Sequence, residues 1–230
     1  MEDAYVIRGG KKLNGEVTLS GAKNVALKTI IAALMFDSKV ILKNIPRIND
    51  VIELIHLVSK LGVKTKLDGN TLEIDSSNFS ENRVDLLHAS RIRVSFMLFA
   101  PLLHKFGRCF IPNPGGCRLG ARPIDRIIDG MRKLGIDVKY NHDTGYYEAS
   151  INGKSSETYT FDKPSHTGTE LLVMLSLFGN GKTVLKNTAL EPEVDEFIYF
   201  LNQSGILDKF FETHLINIIE VGNINSWYDK

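Results

Sequence analysis

Cys117 stands in the run Pro112-Asn113-Pro114-Gly115-Gly116-Cys117-Arg118-Leu119-Gly120-Ala121-Arg122-Pro123-Ile124-Asp125. The Pro-Gly-Gly turn before it gives the backbone little reason to stay in a strand or helix. Arg118 and Arg122 follow closely, and Pro123-Ile124-Asp125 reads as a helix start. A thiol among fixed positive charges releases its proton more readily. Arginine forks at the same place suit phosphate or carboxylate oxygens. The plain alternative is an ordinary surface-loop cysteine.

Three further groups sit at helix starts. Ser20-Gly21-Ala22-Lys23-Asn24 opens the first apolar helix. Unpaired N–H groups there, with the Lys23 charge, could hold a phosphate; a serine cap and a solvated lysine explain the same residues. Arg91 and Arg93 precede the second apolar stretch, and Lys163-Pro164-Ser165-His166-Thr167 precede the third. Packed around one axis, these starts would converge with Arg118 and Arg122 into an anion site. His166 reads as a polar loop residue at least as readily as an acid–base group. Cys109, between Arg108 and Phe110, reads as a small buried apolar residue. Glu191-Pro192-Glu193 reads as the cap of a surface helix. No metal-ligand spacing, Walker loop or GxGxxG is present.

The elements that must position these residues recur at a period of roughly 70 residues. Each copy runs through an apolar helix, a turn, a strand ending in asparagine, an aspartate-led second helix, and a Gly-Val or Gly-Ile stop. The spacing predicts core helices over 24–36, 94–104 and 169–178, with Pro101 kinking or shortening the second. It predicts strands over 39–44, 108–113 and 182–187, and surface helices opening at Asp50, Asp125 and Asp195. Paired strands follow the first two copies, Lys64–Leu67 with Leu72–Ile74 and Asp137–Tyr140 with Tyr146–Ile151. Tyr5–Leu19 reads as two more short strands. Core helices apolar on every face must be enclosed, so the expected fold is α/β, with buried helices wrapped by sheets. Asn44 leads to Asp50 and Asn187 to Asp195, but Asn113 leads to Asp125 through the Cys117 segment. A repeat that lengthens one loop only is expected to have lengthened it for a site.

Composition narrows the class. With 43% apolar residues, 230 residues can bury a sizeable core in one or two domains. A net charge of +1 argues against a general basic surface for nucleic acid. Two cysteines make no disulfide framework. The N-terminus lacks signal-peptide character, and the longest apolar runs are too short to span a bilayer. The expectation is a soluble cytoplasmic protein without a membrane partner.

These motifs resemble those of the UDP-N-acetylglucosamine enolpyruvyl transferases, which catalyse the first committed step of bacterial peptidoglycan synthesis. The resemblance is carried by Tyr5–Gly10 with Leu13, Ser20–Asn24, Arg93 with Ser95, and Pro114–Cys117. It continues through Gly120–Asp125, Lys163 with Ser165, Thr169-Glu170, and Asn187 with Glu191–Glu193, as far as about Gly205. The resemblance implies an inside-out α/β barrel of βαβαββ units. It implies transfer of enolpyruvyl from phosphoenolpyruvate to the 3'-hydroxyl of UDP-N-acetylglucosamine, with no metal or organic cofactor. Cys117 would then be a general acid able to form an adduct with phosphoenolpyruvate. Lys23, Arg93 and Arg122 would hold phosphoenolpyruvate and stabilise its developing charge. Asn24, the segment Arg122, Pro123, Ile124, Asp125 and Arg126, and the segment Lys163, Pro164, Ser165 and His166 would contact the UDP-sugar. The shikimate-phosphate branch lacks this cysteine loop and fits less well.

The sequence departs from the family at Arg126-Ile127, where an apolar residue then histidine is common, and at Ser165-His166-Thr167-Gly168, usually Ser-Val-Gly-Ala. It also has about half the family's length. The expected organisation is N-terminal strands over 1–20, three repeats within 21–219 (about 21–76, 90–151 and 165–219), and a divergent tail over 220–230. In the family, residues 1–20 pack with a second domain that supplies a carboxylate and further arginines to the site. A complementary half or self-association would have to supply these here. The alternative is a truncated, non-catalytic remnant or UDP-sugar-binding module.

Overall fold

The computed structural model describes residues 4–115, 124–153, 157–177 and 182–203. The first repeat opens with α1 (Lys23–Ala33), buried on every face from Ala26 onward. The chain continues through β1 (Val40–Leu42), α2 (Asn49–Lys60), β2 (Lys64–Asp68) and β3 (Thr71–Asp75). β3 lies between the other two strands, antiparallel to both. α2 buries one stripe, Val51, Leu54, Leu57 and Val58, and leaves its other face to solvent. It stops at Gly62, whose φ of 92° suits glycine alone.

The second repeat follows the same order. A short α3 (Leu86–Ala89) leads to a 3₁₀ segment, Arg93–Leu98, then α4 (Phe99–Phe106), β4 (Arg108–Pro112), α5 (Asp125–Lys133), β5 (Ile136–Asn141) and β6 (Tyr146–Ile151). β6 is the middle strand, as β3 is in the first sheet. The expected single core helix is therefore split, and Pro101 gives the reason. It lacks the N–H an interior position needs, so the α-helix begins at Phe99 and leaves Pro101 in the first turn, where no donor is required.

The third repeat comprises β7 (Thr158–Thr160), α6 (His166–Ser176), β8 (Val184–Lys186) and α7 (Pro192–Gln203). β7 pairs in parallel with β8 and has no counterpart in the sequence pattern. Asn44 and Asn187, which follow β1 and β8, have φ of 59° and 53°. Asparagine tolerates this left-handed conformation, so at these two strand ends it answers a backbone requirement, which Asn113 after β4 does not share. α1, the 3₁₀ segment, α4 and α6 pack on one another in the interior, with Ile30, Met97 and Phe99 fully buried.

The strands expected over Tyr5–Leu19 do not form. Tyr5, Val6, Ile7, Leu13, Val17 and Leu19 are between 84% and 96% exposed, in extended chain without a ladder. The alternation that suggests strands is present, but a lone strand has no hydrogen-bonding neighbour to hold it.

At Gly21 the chain crosses the end of β1 so closely that an added Cβ would collide with the Asn44 carbonyl oxygen. Backbone stands on both sides of that contact. Gly21→Ala is expected to destabilise the fold by about 1–3 kcal/mol, read from denaturant titration. An unchanged midpoint would mean the crossing is loose.

Candidate active site

The starts of α1, α6 and α7 converge. Lys23 is the first residue of α1, and its Nζ lies 2.5 Å from Asp50 Oδ2 in the first turn of α2. Both side chains are about half exposed, so the pair is weak and the ammonium can be recruited by an incoming anion. Asn24 donates from Nδ2 to Glu193 Oε1 at 3.3 Å, tying α1 to the first turn of α7. The Glu193 carboxyl is held below the usual range, first by its own backbone N–H and then by the Asn24 amide. His166 and Lys28 add positive charge nearby.

Ser165 caps α6, its Oγ accepting from the Gly168 N–H at 3.2 Å. His166 Nε2 lies 3.3 Å from Glu170 Oε1, one turn along. Glu170 Oε2 lies 3.1 Å from Lys28 Nζ, and the two side chains are 0% and 5% exposed. Neither Glu170 oxygen accepts a well-aligned hydrogen bond, so its charge is balanced by Lys28 and, when protonated, His166. Sequence reasoning missed this pair. The available signal was one lysine and one glutamate, each in a helix otherwise built to be enclosed.

A second cluster joins α5 to the segment before α6. Ile124 is buried, Asp125 begins α5, and Arg126 Nε lies 3.7 Å from Asp162 Oδ1. The Tyr159 hydroxyl donates to the Arg126 carbonyl at 2.6 Å, and the Lys163 N–H donates to Asp162 Oδ1 at 2.8 Å. The Asp125-Arg126 and Lys163–His166 segments are thus neighbours. Arg93 begins the 3₁₀ segment, its guanidinium 5.9 Å from the Phe96 ring centroid. Arg91 instead donates to both oxygens of Glu53 at 3.0 and 3.3 Å, which commits it to α2. Cys117, Arg122 and Pro123 lie outside the described residues. The two ends flanking them are fixed, Gly115 tight against the Ser90 carbonyl and Ile124 in the core. Among the described residues no His, Cys, Asp and Glu group could hold a metal ion, and no helix is long and apolar enough to cross a membrane.

The arrangement offers cations, an amide and helix starts to an anionic ligand, with Gly115 against Ser90 and Ile124 at the start of α5. Residues 7–216 match the family model of EPSP synthase (3-phosphoshikimate 1-carboxyvinyltransferase). The chain belongs to the EPSP synthase family. Among curated relatives of this family member, UDP-N-acetylglucosamine 1-carboxyvinyltransferase 1 of Clostridium acetobutylicum is 37% identical over 216 residues, covering 93% of this chain and 51% of the relative. UDP-N-acetylglucosamine 1-carboxyvinyltransferase of Idiomarina loihiensis is 38% identical over 225 residues, 97% of this chain and 53% of the relative. The chain spans about half the length of the curated relatives it matches.

Solved structures agree on the fold. The enolpyruvyl transferase NikO from Streptomyces tendae superposes with a TM-score of 0.73 at 21% identity, covering 86% of this chain and 46% of that one. EPSP synthase from Acinetobacter baumannii gives 0.58 at 16% identity, over 79% and 42%. This EPSP synthase-family chain therefore has the α/β fold of the enolpyruvyl transferases.

The depressed Glu193 carboxyl carries a pH dependence. A lowered folded-state pKa adds stability above the ordinary value of 4.5, and that stability is lost as pH falls through the lower folded value. Denaturation midpoints taken from neutral pH down past that value should fall in the parent. Glu193→Gln should flatten that limb; an identical acid limb would remove Glu193 from the account.

Proposed function

We propose that this chain carries the cysteine-loop side of a UDP-N-acetylglucosamine enolpyruvyl transferase. The observation that supports this best is identity of 37–38% along nearly the whole chain with relatives bearing that name. The motif Pro114-Gly115-Gly116-Cys117 separates this reading from the 3-phosphoshikimate branch.

In this reading Lys23, Arg93 and Arg122 hold the phosphate and carboxylate of phosphoenolpyruvate. Asn24, the Arg122–Arg126 segment and Lys163–His166 hold the UDP-sugar. The 3'-hydroxyl oxygen bonds to C2 of phosphoenolpyruvate while C3 takes a proton from the Cys117 thiol and the hydroxyl proton goes to a base. C3 then returns a proton as the C2–O bond to phosphate breaks, which regenerates the double bond and releases phosphate. The half of the relatives' length that this sequence does not span supplies the carboxylate and arginines on the far side. The reaction belongs to peptidoglycan synthesis in the cytoplasm.

Thiol labelling tests the sugar site without requiring turnover. Burial pushes the Cys109 thiol far up and leaves it unreactive. An alkylating reagent should therefore label Cys117 alone in the folded chain, and UDP-N-acetylglucosamine should slow that labelling severalfold. Equal labelling of both cysteines, or no protection at millimolar ligand, would count against the assignment.

A further inference from the structure

Two carboxylates and one ammonium meet where α1, α6 and α7 come together. Glu170 of α6 is fully buried, and its Oε2 lies 3.1 Å from Nζ of Lys28 on α1, itself 5% exposed. Glu193 of α7 is near enough to respond to the same charges. Its carboxyl is held down first by its own backbone N–H and the Asn24 amide, and further by His166 and Lys28. Within this group Lys28 offsets one negative charge, and an imidazolium at His166 offsets the other.

The two ring nitrogens of His166 differ in their surroundings. Nε2 is buried and lies 3.3 Å from Glu170 Oε1, while the side chain as a whole stays 21% exposed at the first position of α6. A buried ring nitrogen without an aligned hydrogen bond is costly unless charge attraction offsets it. The Glu170 carboxylate supplies that attraction when Nε2 carries a proton. What one imidazole nitrogen meets decides what the other can offer, so Nδ1 is left for a ligand. The turn that bears the ring is tightly held. Ser165 Oγ accepts from the Gly168 N–H, and a Cβ added at Gly168 would meet that Oγ at 2.8 Å. His166 is also one of the positions at which this sequence departs from the family pattern.

We propose that the Lys28–Glu170 pair positions His166, turning Nε2 inward and presenting Nδ1–H to a phosphate oxygen of the sugar nucleotide. Lys28 balances the Glu170 charge, Glu170 orients the ring, and of the three only His166 touches the ligand. A buried ion pair adds little net stability over an apolar pair of similar size. Its service to His166 gives this one a role that stability does not. The inference rests on the sugar-nucleotide assignment of the site.

Calorimetric titration of the full chain with UDP-N-acetylglucosamine tests it. His166→Gln keeps a polar group where Nε2 stands and none where Nδ1 stands, and His166→Asn does the opposite. The glutamine variant should bind at least about tenfold more weakly, and the asparagine variant should recover most of that loss. Lys28→Met/Glu170→Leu removes both buried charges together. It should stay folded, by denaturant titration, yet bind about as weakly as His166→Gln. Adding His166→Gln to that double variant should change little further, because the positions are coupled. The same order should hold for UDP, which retains the diphosphate. Equal losses for glutamine and asparagine would overturn the proposal and leave the sugar site standing. So would additive losses in the triple variant, a double variant that binds like the parent, or an order that disappears with UDP. A parent chain that binds neither UDP-N-acetylglucosamine nor UDP would overturn the sugar-nucleotide assignment itself, and the proposal with it.

Discussion

Replacing Lys28 with Met should cost the domain about 3–5 kcal/mol, because it strands a fully buried carboxylate. Glu170 is 0% exposed, Lys28 Nζ is 3.1 Å from it, and no aligned hydrogen bond takes up its charge. His166 compensates only when protonated, and from a less buried position. A loss of that size is a large part of the roughly 5–15 kcal/mol that holds a typical domain together. The double variant Lys28→Met/Glu170→Leu removes both charges and should recover most of the loss. Denaturant titration of the three proteins decides it. A single variant within about 1 kcal/mol of the parent would mean the pair is solvated and not a core feature.

The largest effect on chemistry is expected at Cys117. A positioned general acid contributes about 10²- to 10⁴-fold, and serine is far too weak an acid to replace it. Cys117→Ser should lower enolpyruvyl transfer by that factor while leaving the denaturation midpoint unchanged. Cys109→Ser should do the reverse, leaving the chemistry intact and disturbing the core, since Cys109 is fully buried in β4. A Cys117→Ser protein of full activity would require another proton donor.

Much of this architecture is legible in the residues because single positions enforce it. Asn44 and Asn187 mark strand ends by their left-handed backbone, and Gly62 and Gly135 mark helix stops with φ of 92° and 80°. The stripe Val51, Leu54, Leu57, Val58 marks a surface helix, and the unbroken apolar run in α1 marks an enclosed one. What was not legible depends on partners remote in sequence. The Lys28–Glu170 pair spans two core helices, and neither residue reveals the other. β7 is too short to stand out until β8 lies beside it. The converse error is Tyr5–Leu19, where a strand pattern lacks a partner and stays extended in solvent. In the site, the neighbourhood of Asn24, His166 and Glu193 follows from how three helix starts converge, which no local motif records.

Phosphate release from phosphoenolpyruvate tests the central claim most directly. The chain would be supplied with the remaining half of the Clostridium acetobutylicum relative, of which it matches 51%. Release should depend on UDP-N-acetylglucosamine, should not respond to shikimate 3-phosphate, and should fall with Cys117→Ser. Release that ignores the sugar nucleotide, or none from a pair that binds it, would contradict the assignment of this chain to enolpyruvyl transfer.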